Sequence, residues 1–296
     1  MARKNKIKYS GILNVAEEKT TKAKIFKAGS ILLLLLITCI SLLPIIWTLF
    51  SAFKTPDEYY AVPSTFFPSE FQWKNFTELF TKYKIQDYIF NTVVLITGSL
   101  IVEITFAATA GFVISKIKPV GAKLIFTLIL WTMMMPTTLN MVPLFMIFID
   151  MPVIHVNLMN TYVPMWLMAG ANCFHIMMFK DFFDGIPTSY IEAARIDGAG
   201  HLQIFYRIVL PLSKPIIATL ATFVITANWN DFMWPYLLLK DKDIMTISLA
   251  AFKFRDKIAE PQALMMSLVL IIPMIIVYII SQKFVVNNDN AAGDKG

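Results

Sequence analysis

Asn228, Trp229, Asn230 and Asp231 stand in succession, with Trp234 three residues further on, inside a stretch that is otherwise apolar. Carboxamides and a carboxylate exchange hydrogen bonds with hydroxyl groups, and an indole face packs on the C–H surface of a pyranose. The mixture therefore suits a sugar and would be costly against lipid. Helical residues advance about 100° each, so four in a row cannot all face one passage. Asn228, Asp231 and Trp234, spaced by three, make one stripe of amide, carboxylate and indole, which leaves Trp229 and Asn230 to face a partner subunit or other helices. The same residues also suit hydrogen bonding between helices beside an interfacial aromatic belt, and both readings stand. Glu103 lies mid-way along another apolar run, where a charge costs about 2.5–3.5 kcal/mol on insertion scales. It is either a gate or proton-relay residue, or a protonated or paired carboxyl that ties its helix to a neighbour. His175 has no second histidine or carboxylate at i+3 or i+4, so a hydrogen-bonded histidine is expected there rather than a metal ligand.

These residues need a membrane around them. Of 296 residues, 57% are hydrophobic and 16% charged, against about a quarter charged in an ordinary soluble domain. Residues 28–53, 88–115, 124–149, 162–179, 216–239 and 263–282 are long and apolar enough to be spans, which need about 20 residues. The expectation is an all-α polytopic protein with six transmembrane helices. Lysine and arginine gather at 1–27, 116–123 and 180–214, which places those segments and both termini in the cytoplasm. The loop at 241–260 breaks the pattern, because Lys242, Lys253, Arg255 and Lys257, set against Asp241, Asp243, Asp256 and Glu260, fall on the side that parity makes external. Topology accounts for the net charge of +6 better than a nucleic-acid partner does. Cys39 and Cys173 both fall in apolar runs, so neither a disulfide framework nor a cysteine metal site is indicated. The chain divides into a basic leader, 1–27, and a transmembrane domain, 28–296, with its core at about 88–283.

The most structured polar stretch is Ile186 to Pro215. Ser189 is a candidate N-cap with Glu192 three positions on, a capping box that starts a short helix at about Tyr190. Gly198 and Gly200 end it. Ile204, Phe205, Ile208 and Val209 then form the apolar stripe of a second helix, closed by Pro211 and Pro215. A capped hairpin between two membrane helices accounts for these features without further function. The full spacing goes further: Glu192, Ala193, Ala194, Asp197, Gly198, Ala199, Phe205, Ile208, Leu210, Pro211 and Pro215 resemble the EAA motif of binding-protein-dependent ABC importer permeases.

The resemblance extends over roughly residues 66–296. FPSEFQWKNFTELF and the Asn91-Thr92 after it, NWNDFMWPYLLL, MTISLAAF and LMMSLVLIIP are similar to segments of the maltose-type carbohydrate permease subfamily. It implies a type I ABC importer permease fold in the cell membrane. Loop 184–215 would be the coupling element, docking in a groove of a cytoplasmic ATPase through Glu192, Ala193, Ala194, Asp197, Gly198 and Ala199. The implied partners are a second permease subunit, two ATPase subunits, an extracytoplasmic solute-binding protein and a sugar. The chain would bind no cofactor and would not be an enzyme; it carries no G-x-x-x-x-G-K-[ST], so ATP would be hydrolysed by a partner. The family's C-terminal Gly-Ala-Val-Lys-Gly is altered here, with Asp294 in place of the apolar residue. The rival class, an intramembrane enzyme or stand-alone ion-coupled carrier, calls for clustered intramembrane histidines and carboxylates or an inverted repeat, and the sequence presents neither.

Overall fold

The computed structural model describes residues 9–10, 13–14 and 21–292. Most of the expected leader 1–27 and the altered tail at 293–296 lie outside the described residues. The chain separates into two compact units, residues 1–73 and 74–296.

In the first unit, strands β1 (Tyr9–Ser10) and β2 (Leu13–Asn14) pair antiparallel. Helix α1 (Thr21–Ser51) follows, and its Lys24–Ser51 portion is long and apolar enough to cross a membrane. Its leucines are exposed all round, as a lipid-facing helix requires: Leu32 is 68% and Leu34 63% accessible. Thr55 caps α2 (Pro56–Tyr60), its Oγ1 accepting from the Glu58 N–H at 3.2 Å, with Pro56 at the first helical position. The aromatic residues that follow pack edge-on against the end of α1, with Phe50–Phe67 centroids 4.7 Å apart and Phe53–Trp73 5.1 Å apart.

The second unit begins with α3 (Trp73–Thr81) and is built around α4 (Ile85–Phe112), whose final π turn runs from Val113 to Ile117. Next come α5 (Ala122–Met133) and α6 (Met141–Ile149), the latter entered through the 3₁₀ turn Thr137–Asn140. They meet at 95°, so the expected third span, 124–149, is sharply bent. Pro136 accounts for the bend, since it lacks an N–H and pushes the residue before it out of helical geometry. The expected fourth span is two pieces, α7 (Val163–Gly170) and α8 (Cys173–Asp184). Asn172 adopts an extended conformation between them, and its side-chain Oδ1 caps α8 by accepting from the His175 N–H at 3.3 Å.

Helices α9 (Thr188–Ile196) and α10 (His201–Ile204), a π turn at Phe205–Val209 and the short α11 (Leu210–Leu212) form the polar loop. After a 76° bend, α12 (Lys214–Asn230) continues the chain. It stops short of the expected end of the fifth span, and α13 (Met233–Leu238) resumes after Asp231 and Phe232. Pro235 cannot supply the N–H that a continuous helix would offer to the carbonyl of residue 231, so the break is chemical. Helices α14 (Ile247–Phe254) and α15 (Glu260–Ala292) complete the unit. Among the described residues, three helices are long and apolar enough to cross a membrane, or up to five if each bent pair counts once. The architecture is nearly all helical.

Among the described residues of the second unit, two buried clusters bear on the site. One joins Phe112, Phe179, Phe183, Ile191, Phe205 and Leu220, and so welds the polar loop to α4, α8 and α12. The other gathers Leu95, Phe148, Met165, Leu238 and Leu249 toward the opposite end of α4. Helices α4 and α8 approach closely because Gly111 has no side chain: a Cβ there would lie 2.8 Å from Phe179 Cβ and 2.9 Å from the Lys180 backbone nitrogen.

Candidate functional site: a polar cavity and a loop on shared helices

The sequence places a capping box at Ser189 and Glu192, and the structure does not form it. Helix α9 starts two residues earlier than expected, at Thr188, because Pro187 sits in extended geometry (ψ 134°) immediately before it. Ser189 is thus inside the first turn, where it cannot cap. Instead Gln203 Oε1 accepts from the Gly200 N–H at 3.1 Å and secures the start of α10. Gly198 does end α9 as expected. Its φ of +81° is left-handed, and the turn is closed by the Ala199 N–H donating to Ala194 O at 2.9 Å.

Burial divides the loop residues. Ala194 is buried and Ala199 half-buried, while Glu192, Ala193, Asp197 and Gly198 are exposed. The expected stripe Ile204, Phe205, Ile208 and Val209 turns inward. Sequence reasoning missed the outward apolar residues: Ile196 is 87% exposed, Leu202 73% and Tyr206 59%. For Leu202 and Tyr206 the signal was available, since they fall off the inward stripe of their own helix. The base of the loop is pinned electrostatically. Asp184 accepts from Ser115 Oγ at 2.6 Å and pairs with Lys180 Nζ at 2.8 Å, and Lys116 Nζ donates to Ile186 O at 2.8 Å. Partial burial pushes the Asp184 carboxyl up, but the Lys180 and Ser115 hydrogen bonds and the Lys180 charge outweigh it and hold its pKa below the usual value.

Among α4, α7, α8 and α12 lies a cavity of about 740 Å³, lined by Glu103, Asn172, His175, Asn228, Asp231 and Trp234 among others. Asn228, Asp231 and Trp234 do reach one cavity, but not as a helical stripe, because the helix ends at Asn230. Asp231 instead accepts from the Met233 and Trp234 N–H groups at 3.0 and 3.3 Å, and so caps α13. Trp229 faces away and donates its indole N–H to Leu270 O at 3.0 Å. Asn230, assigned from the sequence to other helices, also borders this cavity, as well as a second one beside Leu270 and Met274. Asn228 is held by Ser99, whose Oγ donates to Asn228 Oδ1 at 3.0 Å.

Glu103 is buried, and Asn172 Nδ2 donates to its Oε1 at 2.6 Å. His175 Nδ1 lies 2.5 Å from the same oxygen, at ion-pair distance but outside regular hydrogen-bond angles. These contacts tie α4 to α8 and place Glu103 on the cavity wall beside His175. Spacing along the chain could not reveal this pair, because Glu103 is on α4 and His175 on α8.

Apolar helices of membrane-crossing length thus surround a polar cavity, with the loop 184–215 packed at one end of them. A family described as the inner membrane component of binding-protein-dependent transport systems matches residues 103–288. The diacetylchitobiose uptake system permease protein NgcG of Streptomyces coelicolor is 30% identical over 264 residues, covering 87% of this chain and 85% of the relative. The melibiose/raffinose/stachyose import permease protein MelC of Bacillus subtilis is 26% identical over 90% of this chain and 95% of its own length. The maltodextrin transport system permease protein MdxG of the same organism is 28% identical over 94% and 99%. In solved structures, a chain of a bacterial ABC transporter involved in import of the acidic polysaccharide alginate superimposes with a TM-score of 0.78. It is 22% identical and covers 89% of this chain and 98% of that one, a likeness of fold. The chain belongs to the family of binding-protein-dependent transport system inner membrane components. It is an inner-membrane transport permease rather than an enzyme.

Proposed function

We propose that the chain forms one half of the pathway by which a sugar or oligosaccharide enters the cell, with ATP hydrolysed by separate subunits. The partners in this reading are a second permease subunit, two ATPase subunits and an extracytoplasmic solute-binding protein. The names of the relatives, which move diacetylchitobiose, raffinose-type sugars and maltodextrins, support a saccharide cargo. Six spans with both termini in the cytoplasm, a permease core at about 88–283 and a coupling loop at 184–215 complete the proposal. Glu192, Ala193, Asp197 and Gly198 would meet the ATPase beside exposed Ile196, Leu202 and Tyr206, while Ala194 and Ala199 hold the loop to its core.

One observation carries the reading. Helices α8 and α12 flank the loop, share a buried core with it, and also supply His175 and Asn228 to the polar cavity. A push on the loop therefore moves cavity walls as a rigid body. In proteoliposomes holding the complete complex, Asn228→Ala and Trp234→Ala should each reduce uptake of an oligosaccharide and substrate-stimulated ATP hydrolysis while assembly stays normal. Asp231→Asn is the informative third variant, since the amide oxygen can still cap α13 whereas Asp231→Ala cannot. Normal uptake by all three fully assembled variants would refute the cavity's role.

A further inference from the structure

The external loop at 241–260, in which Lys242, Lys253, Arg255 and Lys257 are matched in number by Asp241, Asp243, Asp256 and Glu260, folds with the segment before α4 into a separate cavity of about 730 Å³ lined mainly by lysines. Its lining includes Lys82, Lys84, Lys240, Lys242, Lys253 and Lys257 against two carboxylates, Asp87 and Asp243. Among the described residues none of these six ammonium groups is in an ion pair. Partial burial, and then the charges of Lys240, Lys257 and Lys242, lower the pKa of Lys253, as expected of like charges held close together. The walls are firm. Asn91 Nδ2 donates to the carbonyls of Asp243 and Met245 at 2.7 and 3.1 Å, and Thr92 Oγ1 accepts from the Ile247 N–H at 2.8 Å. Phe254 packs between Tyr83 and Tyr88, with centroids 5.4 and 5.8 Å away.

Position and charge identify what such a cavity receives. It opens beside the start of α4, whereas the loop at 184–215 packs at the other end of the 33-residue helical stretch Ile85–Ile117. At about 1.5 Å per residue that is roughly 50 Å, more than the ~30 Å hydrocarbon core. The lysines thus lie on the face away from the ATPase. An anion drawn there is not a suitable cargo, because the lining of the 740 Å³ cavity contains Glu103 and Asp231 and no lysine or arginine. We infer that the lysine cavity seats an acidic segment of the solute-binding protein, steering it onto this subunit by charge, while the cargo that passes inward is uncharged. This rests on the transport reading above.

The test uses the assembled complex in nanodiscs of phosphatidylcholine, which has no net charge. ATP hydrolysis is followed against the concentration of the solute-binding protein that stimulates the wild type. Lys242→Glu with Lys253→Glu should raise the half-saturating concentration about tenfold and leave unstimulated hydrolysis unchanged, while arginine at both positions should restore it. Raising salt from about 50 to about 300 mM should weaken the wild type and affect the glutamate variant far less. Equal half-saturation and equal salt dependence in the two proteins would overturn the inference. So would an effect of the glutamates that appears only with phosphatidylglycerol present, which would make the site one for lipid headgroups, or stimulation by an acidic oligosaccharide that the glutamates abolish. A wild-type complex that no solute-binding protein stimulates would refute the transport reading itself, and the docking site with it.

Discussion

Replacing Gly111 with alanine puts a methyl group where α8 already lies. The new Cβ would stand 2.8 Å from Phe179 Cβ and 2.9 Å from the Lys180 backbone nitrogen, against about 3.5–4.0 Å for an unstrained carbon contact. The second neighbour is backbone, so no rotamer change relieves it, and α8 must retreat by several tenths of an ångström at least. Phe179 and Phe183 are fully buried, so the retreat loosens a packed core. Overpacking of this kind costs about 1–3 kcal/mol, set against about 0.5–1 kcal/mol that alanine gains over glycine in a helix. The expected net loss is about 1–2 kcal/mol. Two controls calibrate it. Gly170→Ala meets Val102 Cγ1 at 3.0 Å and the Phe106 ring at 3.7 Å, side-chain atoms and no backbone, and Gly29→Ala meets nothing within 4 Å. Thermal or detergent unfolding midpoints of the purified protein should fall in the order Gly111→Ala, Gly170→Ala, Gly29→Ala, least stable first. If Gly111→Ala matches Gly29→Ala, the close approach of α4 to α8 is wrong.

Other variants probe the loop, its anchor and the topology. Gly198 has φ +81° and open space around it, so Gly198→Val should cost about 1–2 kcal/mol through backbone strain alone and Gly198→Asn clearly less, measured by loss of ATPase co-purification. Asp184 has a lowered pKa in the folded protein, so its contribution to stability is whole above the ordinary carboxylate value of 3.8 and is lost as pH falls through the lower folded value. The wild type should therefore lose more stability than Asp184→Asn on acidification through that range, and parallel pH curves would show that the anchor contributes nothing. Trp229→Phe removes a hydrogen bond to Leu270 O and should destabilise by about 1 kcal/mol without changing the substrate preference of uptake. An impermeant thiol reagent applied to intact cells should label a cysteine at Lys242 and not one at Lys118; the reverse pattern would invert the proposed orientation.

The sequence was most readable where local chemistry decides the structure. The inward stripe of Ile204, Phe205 and Val209 and the left-handed turn at Gly198 follow from periodicity and from the tolerance of glycine for positive φ. The start of α9 was misjudged because Pro187 competes with the Ser189 capping pattern and fixes the helix earlier. Apolar length also misled. Residues 124–149, 162–179 and 216–239 are hydrophobic enough to be continuous, yet Pro136, the Asn172 cap and Pro235 with the Asp231 cap break each one. The cavity was half legible. Asn228, Asp231 and Trp234 stood out by type, but the Glu103–His175 pair joins helices 72 positions apart in the chain, and no spacing rule reaches across that distance. The lysine cavity lay hidden for the same reason, since residues 82–84 and 240–257 meet only in the fold.

The central claim is that loop 184–215 transmits ATPase movement to the cavity through α8 and α12. It is tested most directly by a single cysteine at exposed Ala193, introduced after Cys39→Ser and Cys173→Ala, and cross-linked to the ATPase in the assembled, reconstituted complex. The account predicts that the cross-link forms, that it stops ATP-driven sugar uptake, and that reduction restores it. Undiminished uptake by a fully cross-linked complex, or a cross-link to the ATPase from a cysteine at Lys242 in place of Ala193, would contradict it.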